Sequence, residues 1–298
     1  MKRRLLFTAL IALVLFSSCD TDSYINDYND QLSGGEILES RDLWYIDFNR
    51  TIGMEEVPFL SKAFTISFRN GHMIANNNLV GLGYTGGGLG INIGHYDYNH
   101  SNYVNTYHVL DNYYEFEIIP ISSNSIKIYI PAINTVYFLN GYDKYEFDYD
   151  QVFYDNVHYF LQEYQAWEKV DTYGGNANIF DDENYLTFIP DASGDYFKSS
   201  QDNFGTNIAS IYWDYIGDYE IYNMSTIATK DLRLIYDIGA NEEFDLSIPD
   251  DAHIELYHIA SGTTYRFKGV GFIQYMRQEI IRTKKVLKTL PKNGAFKN

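Results

Sequence analysis

Residues 116–141 read FEIIPISSNSIKIYIPAINTVYFLNG, and residues 244–269 read FDLSIPDDAHIELYHIASGTTYRFKG. Placed side by side without a gap, the two stretches share seven identical residues. The identical pairs are Phe116 and Phe244, Ile126 and Ile254, Tyr129 and Tyr257, Ala132 and Ala260, Thr135 and Thr263, Tyr137 and Tyr265, and Gly141 and Gly269. So many matches at one spacing indicate an internal repeat.

Weaker sequence similarity extends this repeat toward the N-terminus. The matching positions are Trp44 with Trp167, Phe68 with Phe188, Gly81 with Gly205, and residues 94–96 with residues 217–219. Their offset changes by a few residues, as loops of different length would cause. We therefore expect a first repeat over residues 38–149 and a second over residues 167–275.

Each copy has the pattern of β-strands. Residues 64–68, 126–130 and 254–256 alternate between apolar and polar side chains, and clusters of Asn and Gly separate such segments. Tyr, Phe and Trp make up 17% of the chain, and aromatic residues favour pleated surfaces. The sequence predicts a predominantly all-β protein with two tandem duplicated antiparallel modules, each a small barrel or sandwich followed by a short helix.

Two apolar stripes predict these helices. One stripe comprises Phe153, Val157, Phe160, Leu161 and Tyr164, and it predicts a linker helix over residues 150–166. The other comprises Ile273, Met276, Ile280, Leu287 and Leu290. It predicts a helix within the basic C-terminal segment, residues 276–298, and Pro291 ends the stripe.

The strand and turn pattern of both copies is similar to that of the lipocalin-like domains of Bacteroidota lipoproteins. The similarity consists of a Trp, a Phe-rich strand and turn, a Gly-x-Tyr strand and two hairpin strands, and it covers residues 38–149 and 161–275. The Gly-x-Trp opening of true lipocalins is absent, because Trp44 follows Asp42-Leu43 and Trp167 follows Gln165-Ala166. The resemblance implies small barrels that bind a ligand.

Residues 1–18 have the features of a secretory signal peptide. Basic residues at positions 2–4 precede twelve residues, 5–16, of which only Thr8 is polar. This run is too short to cross a bilayer, which needs about 20 apolar residues. The alternative, a buried N-terminal helix, is disfavoured by the polar segment that follows directly.

Cys19 is the only cysteine, so no disulfide can form within one chain. Residues 16–19, Phe-Ser-Ser-Cys, resemble a bacterial lipobox, although Leu is commoner than Phe at the first position. The resemblance implies a lipid anchor on Cys19. Residues 19–37 then read as an acidic tether, similar to the export signal of outer-membrane lipoproteins that face the cell surface. A plain spacer facing the periplasm is the alternative.

The charge balance bears on possible partners. Without Lys2, Arg3 and Arg4, the mature chain has 19 basic residues against 40 acidic ones, a net charge of −21. A chain with this negative net charge repels the phosphate backbone of nucleic acids, so we expect no nucleic-acid partner. Residues 277–297 contain seven basic residues and one acidic residue, and this segment could contact an acidic partner, anionic lipid or the protein itself.

The sequence offers few candidates for chemistry. The glycine-rich residues 81–90 are followed by a strand-like segment and not by a helix, and no Lys lies near them in the sequence. Both observations argue against a phosphate-binding loop. His95, Asp97 and Asn99 would share one face of a strand and are weak candidates for binding a ligand such as a sugar or metal. We find no catalytic motif, and we predict no catalytic residue, metal site or cofactor.

These observations favour a membrane-anchored, non-catalytic lipoprotein of the outer membrane that binds a small apolar molecule, a glycan or a peptide. The alternative is a structural or interaction subunit of a cell-envelope assembly. A hydrolase is a third and less favoured possibility, because carboxylates are abundant but nothing singles out a pair.

The lipid anchor gives a first prediction. Cys19→Ala should move the protein from the membrane fraction to the soluble fraction, because no thiol remains for lipid attachment. Fractionation followed by a carbonate wash measures this change. A variant that still pellets after the wash would contradict the anchor.

Overall fold

The computed structural model describes residues 32–82, 89–191 and 194–273. These residues form two closed, eight-stranded antiparallel barrels, one after the other along the chain. Each strand pairs with its neighbours in sequence, and the first strand of each barrel pairs with the last. The prediction of two duplicated antiparallel β modules is confirmed, and both modules are barrels. The predicted signal peptide, Cys19, the start of the tether and the basic segment 276–298 lie outside the described residues.

The bounds of the strands follow. The first barrel contains β1 (Leu43–Ile52), β2 (Thr65–Arg69), β3 (His72–Asn76), β4 (Ile91–Tyr98), β5 (Tyr103–His108), β6 (Asn112–Ser122), β7 (Ser125–Ile130) and β8 (Thr135–Tyr142). The second barrel contains β9 (Tyr164–Gly174), β10 (Tyr185–Asp191), β11 (Gly194–Ser200), β12 (Tyr215–Asn223), β13 (Thr229–Tyr236), β14 (Asn241–Asp250), β15 (His253–His258) and β16 (Thr263–Phe272).

The helices are short. Within the described residues they are α1 (Gly34–Glu39), α2 (Pro58–Lys62), α3 (Tyr149–Asp155) and α4 (Val157–Leu161), with 3-10 helices at Pro131–Ile133, Ile179–Asp182 and Ile208–Ser210. We call the end at which β1 or β9 begins the base of its barrel, and the opposite end the rim. α1 lies at the base of the first barrel, and α3 and α4 lie at the base of the second.

Strand pairing confirms the internal repeat. Trp44 lies opposite Gly141 across β1 and β8, and Trp167 lies opposite Gly269 across β9 and β16. A Cβ on Gly141 would lie 2.8 Å from the Trp44 ring, so only glycine leaves room for the indole. The looser matches hold as well, since Phe68 and Phe188 occupy the same register position relative to these tryptophans.

The same hydrogen bond fixes both bases. The Trp44 indole Nε1–H donates to the Leu38 carbonyl at 2.8 Å, and that of Trp167 donates to the Leu161 carbonyl at 2.8 Å. In each case the acceptor is a carbonyl near the end of the preceding helix, six residues before the tryptophan. Each helix is thereby held across its barrel.

A second pair of contacts also repeats at the bases. The Tyr96 hydroxyl donates to the Glu39 carboxylate, and Gln162 Nε2 donates to the Tyr219 hydroxyl at 2.7 Å. Glu39 and Gln162 directly follow the two carbonyls that bind tryptophan. Sequence analysis missed this shared polar pair, because the two copies use different residue types.

Two predicted boundaries need correction. The tether was expected to run to residue 37, but the folded chain already includes α1, which Ser33 caps through a reciprocal contact with Glu36. Tyr164 was expected on the linker helix, but it begins β9. The helix is also interrupted, because Asn156 leaves the helical conformation between α3 and α4.

Side chains fill the interior of both barrels. The first barrel encloses an apolar cluster that includes Trp44, Phe68 and Phe116, and the second a cluster that includes Trp167, Phe188 and Phe244. Trp213 is only partly buried and packs on the outer surface of the second barrel.

The two barrels contact each other through the linker. Leu43 and Tyr45 on the outer face of β1 pack with Phe147, which follows β8, and with Val152 of α3. The Val80 amide also donates to the Asp251 carboxylate at 2.8 Å, which joins a connection of the first barrel to a turn of the second.

The repeated tryptophans give a second prediction. Trp44→Phe and Trp167→Phe should each lower the free energy of unfolding by about 2–3 kcal/mol, because each leaves a buried carbonyl without its donor and opens a cavity. Chemical denaturation measures the change. Trp213→Phe is the control and should cost less than about 1 kcal/mol, since this residue is only partly buried. Equal losses of unfolding free energy in all three variants would contradict the stabilising role of Trp44 and Trp167 at the two bases.

Candidate functional site at the rim of the first barrel

α2 lies across the rim of the first barrel. Pro58 at its first turn suits a helix start, and Phe59 and Leu60 are buried. The Val57 amide, just before the helix, donates to the Tyr137 hydroxyl at 2.8 Å. This bond ties the helix to the inner surface of β8.

A pocket of about 200 Å³ lies between α2 and strands β3–β5. Apolar side chains supply most of its wall. The lining residues are Phe59, Lys62, Ala63, Ala75, Asn77, Ile91, Asn92, Ile93, His108, Val109 and Leu110. Ile91, Val109 and Leu110 are 58%, 69% and 63% exposed, so an apolar edge surrounds the mouth.

His108 supplies a polar group in this wall. Its Nδ1 accepts hydrogen bonds from the amides of Leu110 at 3.3 Å and Asp111 at 3.0 Å, and its ring stacks on Phe59 at 4.6 Å. Burial lowers the pKa of His108, against the opposing effect of the Asp111 carboxylate. The same Nδ1 lies 3.1 Å from Asp111 Oδ2. The pocket is thus lined by a histidine ring whose burial favours the uncharged form.

Asn77 supplies an acceptor. Its side-chain oxygen is buried and receives no hydrogen bond within the described part of the chain. The pocket therefore combines an apolar wall with a few polar groups, the usual composition of a small-ligand site.

The second barrel provides an internal comparison, because strand pairing equates its rim residues with those of the pocket. Ala63 and Glu183 both directly follow the rim helix, and each donates its amide to the phenylalanine carbonyl within that helix. Ala75 pairs with Ile66 as Ser199 pairs with Leu186.

The third equivalent pair lies two strands further around each barrel. His108 pairs with Gly94, and Tyr236 pairs with Gly217. Three residues that line the pocket thus correspond to Glu183, Ser199 and Tyr236.

These three residues fill the corresponding space in the second barrel. The Tyr236 hydroxyl donates to Glu183 Oε1 at 2.8 Å and lies 2.9 Å from Oε2, while Ser199 lies beside both. Burial raises the pKa of Glu183 from its ordinary value of 4.5 to about 7. Burial and the adjacent Glu183 carboxylate raise the pKa of Tyr236.

Further ionisable groups surround Glu183. Lys169 is buried, and its Nζ donates to the Asp181 carbonyl. Burial lowers the pKa of Lys169, although nearby carboxylates oppose the effect. His258 Nε2 lies 2.6 Å from Glu242 Oε2. These polar groups interact with one another inside the second barrel. The cluster therefore occupies the part of the rim at which the first barrel has a pocket.

The sequence-based candidates lie elsewhere. His95 and Asp97 are exposed on the outer face of β4, and Asn99 lies in the turn that follows, where its side chain accepts from the Ser101 amide at 3.0 Å. The structure does not bring these residues to the pocket. Within the described ranges, no three His, Cys, Asp or Glu side chains are placed to hold a metal ion.

No protein-family model matches the chain, and no curated protein sequence matches it significantly. In the part of the chain that the structure describes, no helix has the length and apolar character needed to span a bilayer. The interpretation of the rim therefore depends on its own residues and on the comparison between the two barrels.

The polar cluster gives a third prediction, on the pH dependence of stability. Because the pKa of Glu183 is higher in the folded chain than its ordinary value, the folded state binds more protons between about pH 4.5 and 7. The contribution of Glu183 to stability is therefore full at low pH. It should fall by up to about 3 kcal/mol as pH rises through this window.

Glu183→Gln should remove this slope, because an amide keeps an acceptor for Tyr236 without ionising. Urea denaturation at pH 4.5 to 8 measures the difference between wild type and variant. Glu55→Gln, at an exposed position, is the control and should retain the wild-type slope. A Glu183→Gln profile parallel to wild type would show that this carboxyl does not titrate in the window.

Proposed function

We propose that this chain is a membrane-anchored, non-catalytic binding protein whose first barrel holds a small apolar group in the rim pocket. One observation carries the proposal. At equivalent positions the first barrel has Ala63, Ala75 and a histidine around an open pocket, whereas the second has Glu183, Ser199 and Tyr236 in a filled polar cluster. The fold itself therefore does not require the pocket.

The size of the pocket limits what it can bind. Ligand pockets for drug-sized molecules enclose about 300–1,000 Å³, more than the 200 Å³ available here. Because side chains fill the barrel interiors, the rim is a better candidate for the ligand site than the interiors are, within the described residues. A single aromatic ring or a branched alkyl group fits this volume, either as a small molecule or as one side chain of a peptide.

The position of the pocket agrees with a tethered protein. The chain enters the first barrel at its base, where the Gly34 amide donates to the Ser101 carbonyl at 2.9 Å. The pocket lies at the opposite end of the barrel. The length of the strands separates it from the base, at about 3.3 Å per residue. With a lipid on Cys19 and an acidic tether, the pocket would open away from the point of attachment, at the cell surface in our proposal.

The alternative, a subunit of a cell-envelope assembly, is favoured by the exposed apolar edge of the pocket. Val109 and Leu110 form the tip of the β5–β6 hairpin, and a partner protein could cover them. A hydrolase is the least supported function, because the buried carboxylates of the second barrel bond to neighbouring side chains.

Filling the pocket gives a fourth prediction. Ala75→Leu adds apolar atoms directly to the pocket wall, so it should weaken the binding of small apolar compounds at least tenfold. The probes are indole, p-cresol and 3-methylbutanol, titrated into ¹⁵N-labelled residues 20–298 and followed by NMR. We expect saturable shifts of the Ile93, His108 and Leu110 amides with at least one probe.

A matched pair of surface variants serves as the control. Val109 and Ile238 lie in corresponding hairpins of the two barrels, and both are 69% exposed. Val109→Ser should weaken binding and Ile238→Ser should not. Probe binding that survives Ala75→Leu unchanged, or a complete absence of shifts at the pocket, would contradict the proposal.

A further inference from the structure

The outer face of β4, β5 and β6 carries an ordered set of aromatic and acidic side chains. One row across the strands consists of His95, Tyr107 and Tyr113, which lie directly opposite one another. The His95 and Tyr107 rings stack at 4.7 Å, and the Tyr107 and Tyr113 rings lie 5.4 Å apart. Tyr113 is 49% exposed, so part of this aromatic row faces solvent.

The next row contains two carboxylates and an amide. Asp97, Asn105 and Glu115 pair directly across the three strands. Asn105 Nδ2 donates to Asp97 Oδ1 at 2.8 Å, and Asn105 Oδ1 accepts from the Tyr113 hydroxyl at 2.9 Å. These bonds hold the row in place and connect it to the aromatic row.

A third row extends the acidic character. Tyr103 pairs with Glu117, and Tyr103 is 43% exposed. Strands β4, β5 and β6 contain no Lys or Arg at all. Among the described residues, none of Asp97, Glu115 and Glu117 forms a salt bridge with a basic side chain. The face thus presents acceptors and aromatic rings without a cation.

The second barrel shows what the same positions do when a cation is present. Register equates Asp97, Asn105 and Glu115 with Glu220, Arg233 and Glu243, which also form one row. The Arg233 guanidinium bonds to Asp231 at 3.0 Å, lies 3.7 Å from Glu243, and sits 4.9 Å from the centre of the Tyr222 ring. An arginine of the same chain therefore offsets part of the acidic charge of this face.

We propose that the outer face of β4–β6 in the first barrel binds an arginine-bearing segment of a partner protein. The guanidinium would lie over Asn105, between the Asp97 and Glu115 carboxylates, and the rings of Tyr103 and Tyr107 would flank it. Arginine suits this arrangement because its planar group pairs with carboxylates and stacks on aromatic faces. The inference is independent of the rim pocket, which lies inside the barrel wall.

The test uses residues 20–298 and the peptide acetyl-Arg-Gly-Arg-amide, with the citrulline analogue as an uncharged isostere. NMR titration should give saturable shifts at the amides of residues 97, 105 and 115 with the arginine peptide only. Asp97→Asn combined with Glu115→Gln should weaken binding at least tenfold. Because these side chains are exposed, we expect the variant to fold normally.

Two further variants make the test specific. Glu220→Gln combined with Glu243→Gln removes the same charges from the equivalent row of the second barrel, and it should change affinity less than twofold. Asn105→Arg supplies the guanidinium within the chain and should abolish binding. Equal binding of the citrulline peptide, or equal losses in both barrels, would overturn the proposal. So would shifts on this face caused by maltohexaose and not by the arginine peptide, since they would indicate a glycan site.

Discussion

Each barrel closes where its first strand meets its last, and a tryptophan lies opposite a glycine at each closure. A Cβ on Gly141 would meet the Trp44 ring, whereas a Cβ on Gly269 would meet the Tyr164 ring. The same indole groups bind the preceding helix through Nε1, so one side chain joins the ends of the ring and fixes the base. The two bases share these contacts, whereas the two copies differ in the polar groups of the rim and of the outer wall.

The two rims use their equivalent positions differently. In the second barrel Glu183 and Tyr236 bond to each other in the space that the pocket occupies in the first. The outer wall also differs, because Arg233 offsets part of the acidic charge of a row in the second barrel and Asn105 stands at that position in the first. In our proposal, both differences leave the first barrel able to bind a ligand or partner.

Much of the fold could be predicted from the sequence, because strand periodicity and the gapless match of residues 116–141 with 244–269 depend only on local pattern. The rim site could not. Ala63 and Glu183 each lie five residues before the matched Phe68 and Phe188, but the two residues share no chemistry, so the match gave no reason to single them out. The alternation of side chains along a strand correctly predicted that His95 and Asp97 share a face of β4. It could not show that this face is the outer face of the barrel.

We infer that the pocket exists because the first rim has no counterpart of the polar cluster. Transferring that cluster tests the claim most directly. In Ala63→Glu combined with His108→Tyr, the new carboxyl and hydroxyl should fill the pocket as Glu183 and Tyr236 fill the second rim. Indole titration followed by NMR should then show binding in the wild type and none in the folded double variant. Unchanged indole binding in that variant would contradict the account.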